Sequence, residues 1–387
     1  MPQAVIVDAV RTPIGRAFKG SLAQLRPDDT GAFIVDQLLE RNPEVDPASV
    51  EEVVAGCGLP QGRQAFNIGR IIALLSEKLP QEVNGSTVSR YCASGLDAIR
   101  IAANNVTVGQ GDVYVAAGVE FVSQYNERQE AAGVADQSEK LQGSDGRPDA
   151  YIQMGDTAVN VAKRYEVSRA DMDKYAQRSQ ELAVRSQEDG FFDREIVAVT
   201  LPDGAEVAKD DGPRPSSSLE KLSQLPEAFE GGGGVTAGNS CPLNDGAAAA
   251  LVMSADKAND LGLKPRARIL TAATAANEPE YMGVAPILAI RKVLERAGMT
   301  IADVETVELN EAFAAQVIPI MAECDIPLEK MNPHGGAIAL GHPFGMTGVR
   351  IMTTLLNGLE SDDKTIGLET MCVAGGQGEA MIVERLS

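Results

Sequence analysis

The order of apolar and polar positions predicts strands that alternate with helices along most of the chain. Short runs of apolar and β-branched residues predict buried strands, namely "AVIVDAV" (4–10), "EEVVAGC" (51–57) and "VYVAAGV" (113–119). Between these runs, residues 30–39 and 67–75 place apolar side chains at the three- and four-residue spacing of an amphipathic helix. This alternation is typical of layered α/β proteins.

The chain also repeats its own pattern. Five stretches of the C-terminal part resemble, in the same order, five stretches of the N-terminal part: 267–276 and 4–13, 303–313 and 49–59, 326–336 and 79–89, 347–356 and 94–103, and 364–383 and 111–123. We therefore predict two related halves, 1–265 and 266–387. A polar insertion at about 120–244 interrupts the first half and contains a charged loop (126–151) and the glycine run 231–234.

The stretch "SRYCASGLDAIRIAA" (89–103) places a cysteine where a helix begins. The residues before it predict a strand, and after Gly95 the apolar residues return at helical spacing. Cys92 therefore falls at a strand-to-helix turn among small residues that let a ligand approach the backbone. The N–H groups and dipole of a helix N-terminus favour negative charge, so we expect the pKa of Cys92 below the value of about 8.5 for a free thiol. The alternative is a buried structural cysteine.

Length and composition narrow the class of protein. With 387 residues and 44% hydrophobic residues, the chain is long enough for more than one domain. A net charge of -21 argues against nucleic acid or an anionic membrane as partner, and no apolar run reaches the length of a membrane span. Asp8 and Arg11 interrupt the apolar N-terminal run, which we interpret as a first strand and not a signal peptide.

The cysteines and histidines exclude some kinds of site. The five cysteines are widely spaced and form no CxxC pair, which argues against a disulfide framework or a zinc site and predicts a reducing, cytoplasmic environment. The two histidines, His334 and His342, are too few to favour a histidine metal centre. We therefore expect no metal and no permanently bound cofactor.

Three residues of the second half are candidate partners for Cys92. His342 lies in the glycine-rich turn "GHPFG", at the position that the repeat equates with the Cys92 turn. Asn310 follows a predicted strand and opens a helix, where it could equally be a helix N-cap. Cys372 precedes a glycine turn at a strand end, where it could equally be a small buried residue.

Motifs over nearly the whole chain resemble those of the thiolase family. They are "RTPIG" with "GSL" (11–15, 20–22), "RYCASG" (90–95), "MGDTA" (154–158), "SRADMDKYAQRS" (168–179), "VTAGNSCPLNDGAAA" (235–249), "ELNEAFAAQ" (308–316), "GGAIALGHPFGMTG" (335–348) and "CVAGGQG" (372–378). The resemblance implies an α/β protein with a duplicated five-layered α-β-α-β-α fold, and an inserted loop domain over coenzyme A.

The resemblance also implies roles for individual residues. Cys92 would carry the acyl group, Cys372 would be the acid or base at the α-carbon, and His342 would activate Cys92. His342, with a water held by Asn310, would form one oxyanion hole, and the backbone N–H groups of Cys92 and Ala374 would form the other. Such a reaction needs a nucleophile, an acid or base, and donors for developing oxyanions.

Coenzyme A and acyl-CoA would be substrates of this site, held by four further residues. By the same resemblance, Arg214 would lie near the adenine and phosphate end of coenzyme A, while Met154, Ser240 and Cys241 would line the pantetheine channel.

Four positions depart from the common family pattern. Ser89 replaces an Asn, Cys241 replaces a Ser, Ala374 replaces a Gly, and Gln153 replaces the His of acetoacetyl-specific members. The last departure and the long segment 124–150 favour a degradative 3-ketoacyl-CoA thiolase of fatty acid β-oxidation.

Two alternative functions remain open, a biosynthetic acetyl-CoA C-acetyltransferase and a non-catalytic thiolase-like protein that binds acyl-CoA or lipid. Ketosynthases lack the second cysteine in such a setting, and cysteine proteases share only residue types. The resemblance further implies a homodimer or homotetramer and leaves open an association with other β-oxidation enzymes.

Overall fold

The computed structural model describes residues 2–124 and 137–387, so the first part of the predicted charged loop lies outside the described residues. The strands are β1 (Ala4–Arg11), β2 (Gly15–Arg16), β3 (Glu52–Gly56), β4 (Asn84–Val88), β5 (Val113–Phe121), β6 (Val199–Thr200), β7 (Glu206–Val207), β8 (Asn244–Ser254), β9 (Ala267–Ala276), β10 (Thr306–Leu309), β11 (Ile366–Val373) and β12 (Gln377–Arg385). The α-helices are α1 (Pro27–Arg41), α2 (Ile68–Leu75), α3 (Ser94–Thr107), α4 (Met154–Arg164), α5 (Arg169–Glu188), α6 (Leu219–Ser223), α7 (Ala255–Asp260), α8 (Ala285–Ala297), α9 (Ala314–Glu323), α10 (Ala337–Leu340) and α11 (Phe344–Ser361).

The two halves have the same strand order and directions. In the first half β3 pairs in parallel with β4 and β5, and β5, β8 and β1 follow in antiparallel pairs. In the second half β10 pairs in parallel with β11 and with a bridge at Met331, and β11, β12 and β9 follow in antiparallel pairs. The repeat seen in the sequence is therefore a structural duplication, in which Met331 occupies the place of β4.

A short contact joins the halves into one continuous sheet. Strands β1 and β9 pair through Val5 with Arg268 and Ile6 with Ala267. Helices α1 and α2 cover the outer face of the first half, α8 and α9 lie on the outer face of the second, and α3 and α11 lie between the two. The predicted duplicated, five-layered α/β fold is confirmed.

Burial on both sides explains the sequence of the central elements. Strands β1, β5 and β8 are buried at every position, and most of their residues are apolar on both faces because helices cover both sides of the sheet. Helix α11 is buried from Gly345 to Leu359 because it packs between two halves of the sheet.

Glycines bring the two inner helices close together at their N-termini. A Cβ atom on Gly95, the second residue of α3, would lie 2.6 Å from the carbonyl oxygen of Gly345, the second residue of α11. The turns that precede these helices carry Cys92 and His342. The duplication and these glycines therefore place the two turns side by side.

The segment between β5 and β8 corresponds in position to the predicted insertion, and it contains α4 to α6 and the β6–β7 pair. A buried ion cluster attaches it to the sheet. Arg11 of β1 donates from Nε to Glu195 over 2.6 Å and from Nη1 to Asp210 over 2.7 Å. None of the helices in the described part of the chain is long and apolar enough to cross a membrane.

Candidate active site

Cys92 lies in a single 3-10 turn, Tyr91–Ala93, directly before α3. Tyr91 adopts a left-handed backbone conformation with φ 44°, which turns the chain sharply from strand to helix. The Ser94 hydroxyl accepts from the Arg90 N–H over 2.9 Å and donates to the Tyr91 carbonyl over 2.6 Å. These contacts fix the turn and leave Cys92 only 8% exposed.

The pKa of Cys92 moves in the direction opposite to the one expected from its helix terminus. It is raised well above the ordinary value, first because the thiol is buried and then because Cys372 and Cys241 lie close to it. The backbone N–H of Ala374 lies close to the Cys92 thiol and opposes this rise. Burial outweighs the helix N-terminus, so Cys92 is a neutral thiol in the resting protein and needs a base.

The hydrogen bonds of His342 assign its tautomer. The Thr347 hydroxyl donates its single proton to the Pro343 carbonyl over 2.8 Å, so its oxygen must accept from His342 Nδ1–H, which lies 2.7 Å away. His342 Nε2 then keeps its lone pair and accepts from Asn310 Nδ2 over 3.2 Å. Burial and the charge of Arg350 lower the pKa of His342 to about 3. His342 is therefore a neutral acceptor at the centre of the site.

Asn310 is held by the strand it follows and by its neighbour. Its backbone N–H donates to the Thr370 carbonyl over 3.0 Å. The side chain of Glu311 accepts from Tyr175 over 2.8 Å, from Ser179 over 2.6 Å, and from other donors. Asn310 Oδ1 is buried without a hydrogen-bond partner among the residues that the structure describes. The amide is thus aimed into the site, where a substrate or water could complete its hydrogen bonds.

Cys372 lies at the end of β11 and is fully buried. Burial raises its pKa to about 11, and a hydrogen bond from Gln316 Nε2, 3.2 Å from the sulfur, opposes the rise. The chain then turns through Gly375 and Gly376, with φ of 77° and 76°, and returns as β12. Because this turn follows Cys372, it carries Ala374 to Cys92.

The structure therefore brings the four predicted catalytic residues to one place. Asn310 and His342 are in direct contact, and Cys92 is close to both Cys372 and Ala374. His342 Nε2 is hydrogen-bonded to Asn310 and not to the Cys92 sulfur within the described ranges. Catalytic contacts are often loose before a substrate binds, so this spacing does not argue against proton transfer between the two.

A cavity of about 350 Å³ leads towards this centre. Arg214, Ser240 and Cys241 line it, together with Arg16, which lies close enough to lower the pKa of Arg214 in addition to the effect of burial. Met154 is not part of this lining. It begins α4 and packs in the same hydrophobic cluster as Cys241.

Residues 2–124 and 137–387 contain no cluster of three or more His, Cys, Asp or Glu side chains that could hold a metal ion. Four contributors to the site were not predicted: Gln316, Thr347, Arg16 and Glu120. The first three lie within or beside quoted motifs. The contacts of Gln316 and Arg16 depend on distant segments, whereas Thr347 contacts His342 only five residues away in the same motif. Glu120 accepts from the N–H groups of Gly58 over 2.7 Å and Gly345 over 2.8 Å, and thereby ties β5 to the start of α11.

Two family models together match nearly the whole chain. They are described as "Thiolase, N-terminal domain", over residues 4–256, and "Thiolase, C-terminal domain", over residues 263–385. The chain is 41% identical over 403 residues to the 3-oxoadipyl-CoA/3-oxo-5,6-dehydrosuberyl-CoA thiolase of Escherichia coli strain K12, with all of both chains covered. It is 43% identical over 397 residues to the 3-ketoacyl-CoA thiolase of Marinomonas sp. strain MWYL1, with 99% of this chain and 98% of the relative covered.

Solved structures are similar over the same extent. The dimeric peroxisomal thiolase of Saccharomyces cerevisiae superimposes with a TM-score of 0.93 at 37% identity, covering 100% of this chain and 98% of that one. The Bacillus anthracis acetyl-CoA acetyltransferase superimposes with a TM-score of 0.91 at 37% identity, covering 100% and 99%.

Proposed function

The chain belongs to the thiolase family and is an acyltransferase, and we propose that it cleaves 3-ketoacyl-CoA with coenzyme A to give acetyl-CoA and a shortened acyl-CoA. One observation carries the proposal. Two buried, neutral thiols, Cys92 and Cys372, come together from equivalent halves of a duplicated fold, with a neutral histidine and backbone donors beside them. One thiol can carry an acyl group while the other moves a proton.

The first half-reaction forms an acyl-enzyme. His342 Nε2 takes the proton of Cys92, whose sulfur attacks the 3-keto carbon. The bond between carbons 2 and 3 breaks, and its electron pair goes to carbon 2 of the departing acetyl-CoA. Cys372 gives its proton to carbon 2, so that acetyl-CoA leaves and the Cys372 thiolate remains.

The second half-reaction releases the shortened product. The thiol of coenzyme A gives its proton to the Cys372 thiolate and attacks the acyl group on Cys92. Cys92 leaves as a thiolate and recovers its proton from His342, so both thiols return to the neutral state. His342, once protonated, with a water held by Asn310 is proposed to stabilise one oxyanion, and the backbone N–H groups of Cys92 and Ala374 the other.

The cavity beside the thiols supports coenzyme A as the second substrate. Arg214 and Arg16 lie near each other in its lining, and no carboxylate within 4.0 Å pairs with either among the residues described here. Two guanidinium groups without a counter-charge favour an anionic ligand such as a phosphate. Cys241 and Ser240 line the same cavity and lie along the proposed path of the pantetheine arm.

We also propose which acyl chain the substrate carries, in terms of its length and polarity. We favour 3-ketoacyl-CoA substrates of fatty acid degradation, and the support is that the Marinomonas relative is named a 3-ketoacyl-CoA thiolase. A substrate with a terminal carboxylate is a second candidate, because the Escherichia coli relative is named for 3-oxoadipyl-CoA. The reverse reaction, condensation to acetoacetyl-CoA, is a third candidate, suggested by the Bacillus anthracis structure.

The test is a thiolysis assay on purified protein. It compares 3-ketoacyl-CoA substrates of increasing chain length with 3-ketoadipyl-CoA, and measures acetoacetyl-CoA formation from acetyl-CoA separately. The Cys92→Ala variant gives the background. We expect the highest kcat/KM for unsubstituted 3-ketoacyl chains. A higher kcat/KM for 3-ketoadipyl-CoA would move the assignment to the dicarboxylic candidate, and no thiolysis of any substrate would refute the proposal.

We also propose that the protein is at least a homodimer. The yeast structure is titled as a dimer, and in the described part of this chain the sheet ends at β4, which pairs with β3 on one side only. An unpaired edge strand is a ready surface for pairing with another chain. Light scattering after size-exclusion chromatography should give at least twice the mass of one chain, and a monomer at micromolar concentration would contradict the proposal.

A further inference from the structure

The side chain of Gln316 connects the two parts of the candidate active site. It belongs to the first turn of α9 and is fully buried. Its Nε2 donates to the Cys372 sulfur over 3.2 Å and to the Asn310 carbonyl over 3.4 Å, while its Oε1 lies 3.4 Å from the same sulfur. One amide therefore contacts the proposed acid or base and the backbone of the proposed oxyanion residue.

An amide suits a sulfur that alternates between two protonation states. A thiol can donate to Oε1, and a thiolate can accept from Nε2–H, so both states of Cys372 find a partner without a rotation of Gln316. A carboxylate would offer only acceptors, and an apolar side chain would offer neither. Because Cys372 is fully buried, a thiolate without a donor would be costly there.

The surrounding chain leaves room for this amide. A Cβ atom on Gly283 would lie 3.0 Å from Gln316 Cβ and 3.4 Å from Oε1. The glycine thus lets the end of the 3-10 segment before α8 pass close to Gln316. The position of the amide is fixed by its hydrogen bonds to Asn310 and Cys372 and by this close contact.

We propose that Gln316 is a positioning residue for the proton-transfer step at Cys372, which it holds in place and stabilises as a thiolate. This inference rests on the proposed function, because it assumes that Cys372 exchanges a proton with the α-carbon. Gln316 touches no reacting carbon and acts through Cys372. Its removal should affect carbon–carbon bond cleavage and α-proton exchange, and should spare acyl transfer to Cys92.

The test separates these steps in full-length protein. The Gln316→Met variant keeps the length of the side chain and removes both hydrogen-bonding atoms. We expect α-proton exchange of acetyl-CoA in deuterated water, and thiolysis, to fall by about 10- to 100-fold, the effect of losing a hydrogen bond to a charged group. The limb of the pH profile that reports Cys372 should move up by about 1 to 2 pH units. Mass spectrometry should still show acetylated Cys92.

Two further variants distinguish the proposed role of Gln316 from a purely structural effect. Gln316→Glu can donate only when its carboxyl is protonated, so its exchange activity should partly recover as the pH falls. Val317→Ala removes a buried apolar side chain from the same helix and should lower thermal stability without a selective loss of exchange. If Gln316→Met loses exchange and acetylation equally, or keeps wild-type exchange, the inference is wrong. If the wild-type protein neither exchanges nor thiolyses, the proposed function itself fails.

Discussion

The tautomer of His342 gives the sharpest test of the proposed base. Its Nδ1–H has one acceptor, the hydroxyl of Thr347 at 2.7 Å, and this contact leaves Nε2 with a lone pair. The substitution Thr347→Val keeps the shape of the side chain and removes that acceptor. The Pro343 carbonyl remains satisfied, because the backbone N–H of residue 347 also donates to it over 2.9 Å. The change therefore acts on the imidazole almost alone.

The expected magnitude follows from leaving a buried donor without a partner. That penalty is about 1 to 3 kcal/mol, and it destabilises the tautomer of His342 that can accept the proton of Cys92. At 1.36 kcal/mol for each factor of ten, kcat/KM for thiolysis should drop by about 5- to 150-fold. The other tautomer would point an N–H at Asn310 Nδ2, which is also a donor, so it offers relief only if the amide flips and presents Oδ1.

The assay is steady-state thiolysis with a conservative variant as control. Thr347→Ser keeps the hydroxyl and removes a buried methyl group, and it should retain most of the activity that Thr347→Val loses. Thermal unfolding of both variants separates stability from catalysis. The reasoning would be refuted if Thr347→Val lost stability but kept kcat/KM within twofold of the wild type, because His342 would then not depend on this tautomer.

Three further predictions concern the thiols and the cavity. Arg214→Ala should raise KM for coenzyme A and leave kcat nearly unchanged, because a phosphate contact is made equally in the ground and transition states. The control is Arg291→Ala, which removes one side of a solvent-exposed ion pair. A collapse of kcat in Arg214→Ala would contradict the assignment. Cys372→Ala should still show acetylated Cys92 by mass spectrometry yet lose about 10²- to 10⁴-fold in thiolysis, and wild-type thiolysis would show that it is only a core residue. The rate of alkylation of Cys92 by iodoacetamide should rise about tenfold per pH unit between pH 7 and 9, because the pKa of Cys92 is raised. The His342→Ala variant should react more slowly. A rate that is already constant below pH 7 would show that Cys92 is a thiolate in the resting protein.

The repeat was sufficient to predict two related halves because it follows the order of the strands, whereas the five-layered arrangement was implied by the resemblance to the thiolase family. Each of the five matched stretches contains an equivalent element of the two halves, down to the bridge at Met331 that replaces β4. Local sequence patterns predicted Cys92 at a strand-to-helix turn and Cys372 at a strand end, where the structure has them. The positions of these residues along the chain can be read from the sequence. Their closeness in space follows from the duplicated topology.

The sequence was not sufficient to predict the electrostatics of Cys92. A helix N-terminus is visible locally, whereas the burial of Cys92 and its closeness to Cys241 and Cys372 depend on segments that are far away in sequence. The contact of Gln316 with Cys372 spans 56 residues, and no local pattern distinguishes that glutamine from an ordinary helix residue. Contacts of this kind are fixed by packing between elements, so they appear only in the folded chain.

The three ionisable side chains at the reacting centre share one electrostatic property. Burial raises the pKa of Cys92 and Cys372 and lowers that of His342, so at neutral pH all three are uncharged in the resting site. Charge therefore arises only when a proton moves during the reaction, and it arises next to donors already in place, such as Ala374 N–H and Gln316 Nε2. Donors fixed in advance need no reorganisation when that charge develops, and burial strengthens their effect. It follows that removal of a single donor should slow this centre more than removal of an apolar neighbour of the same size, even where both variants lose the same free energy of unfolding.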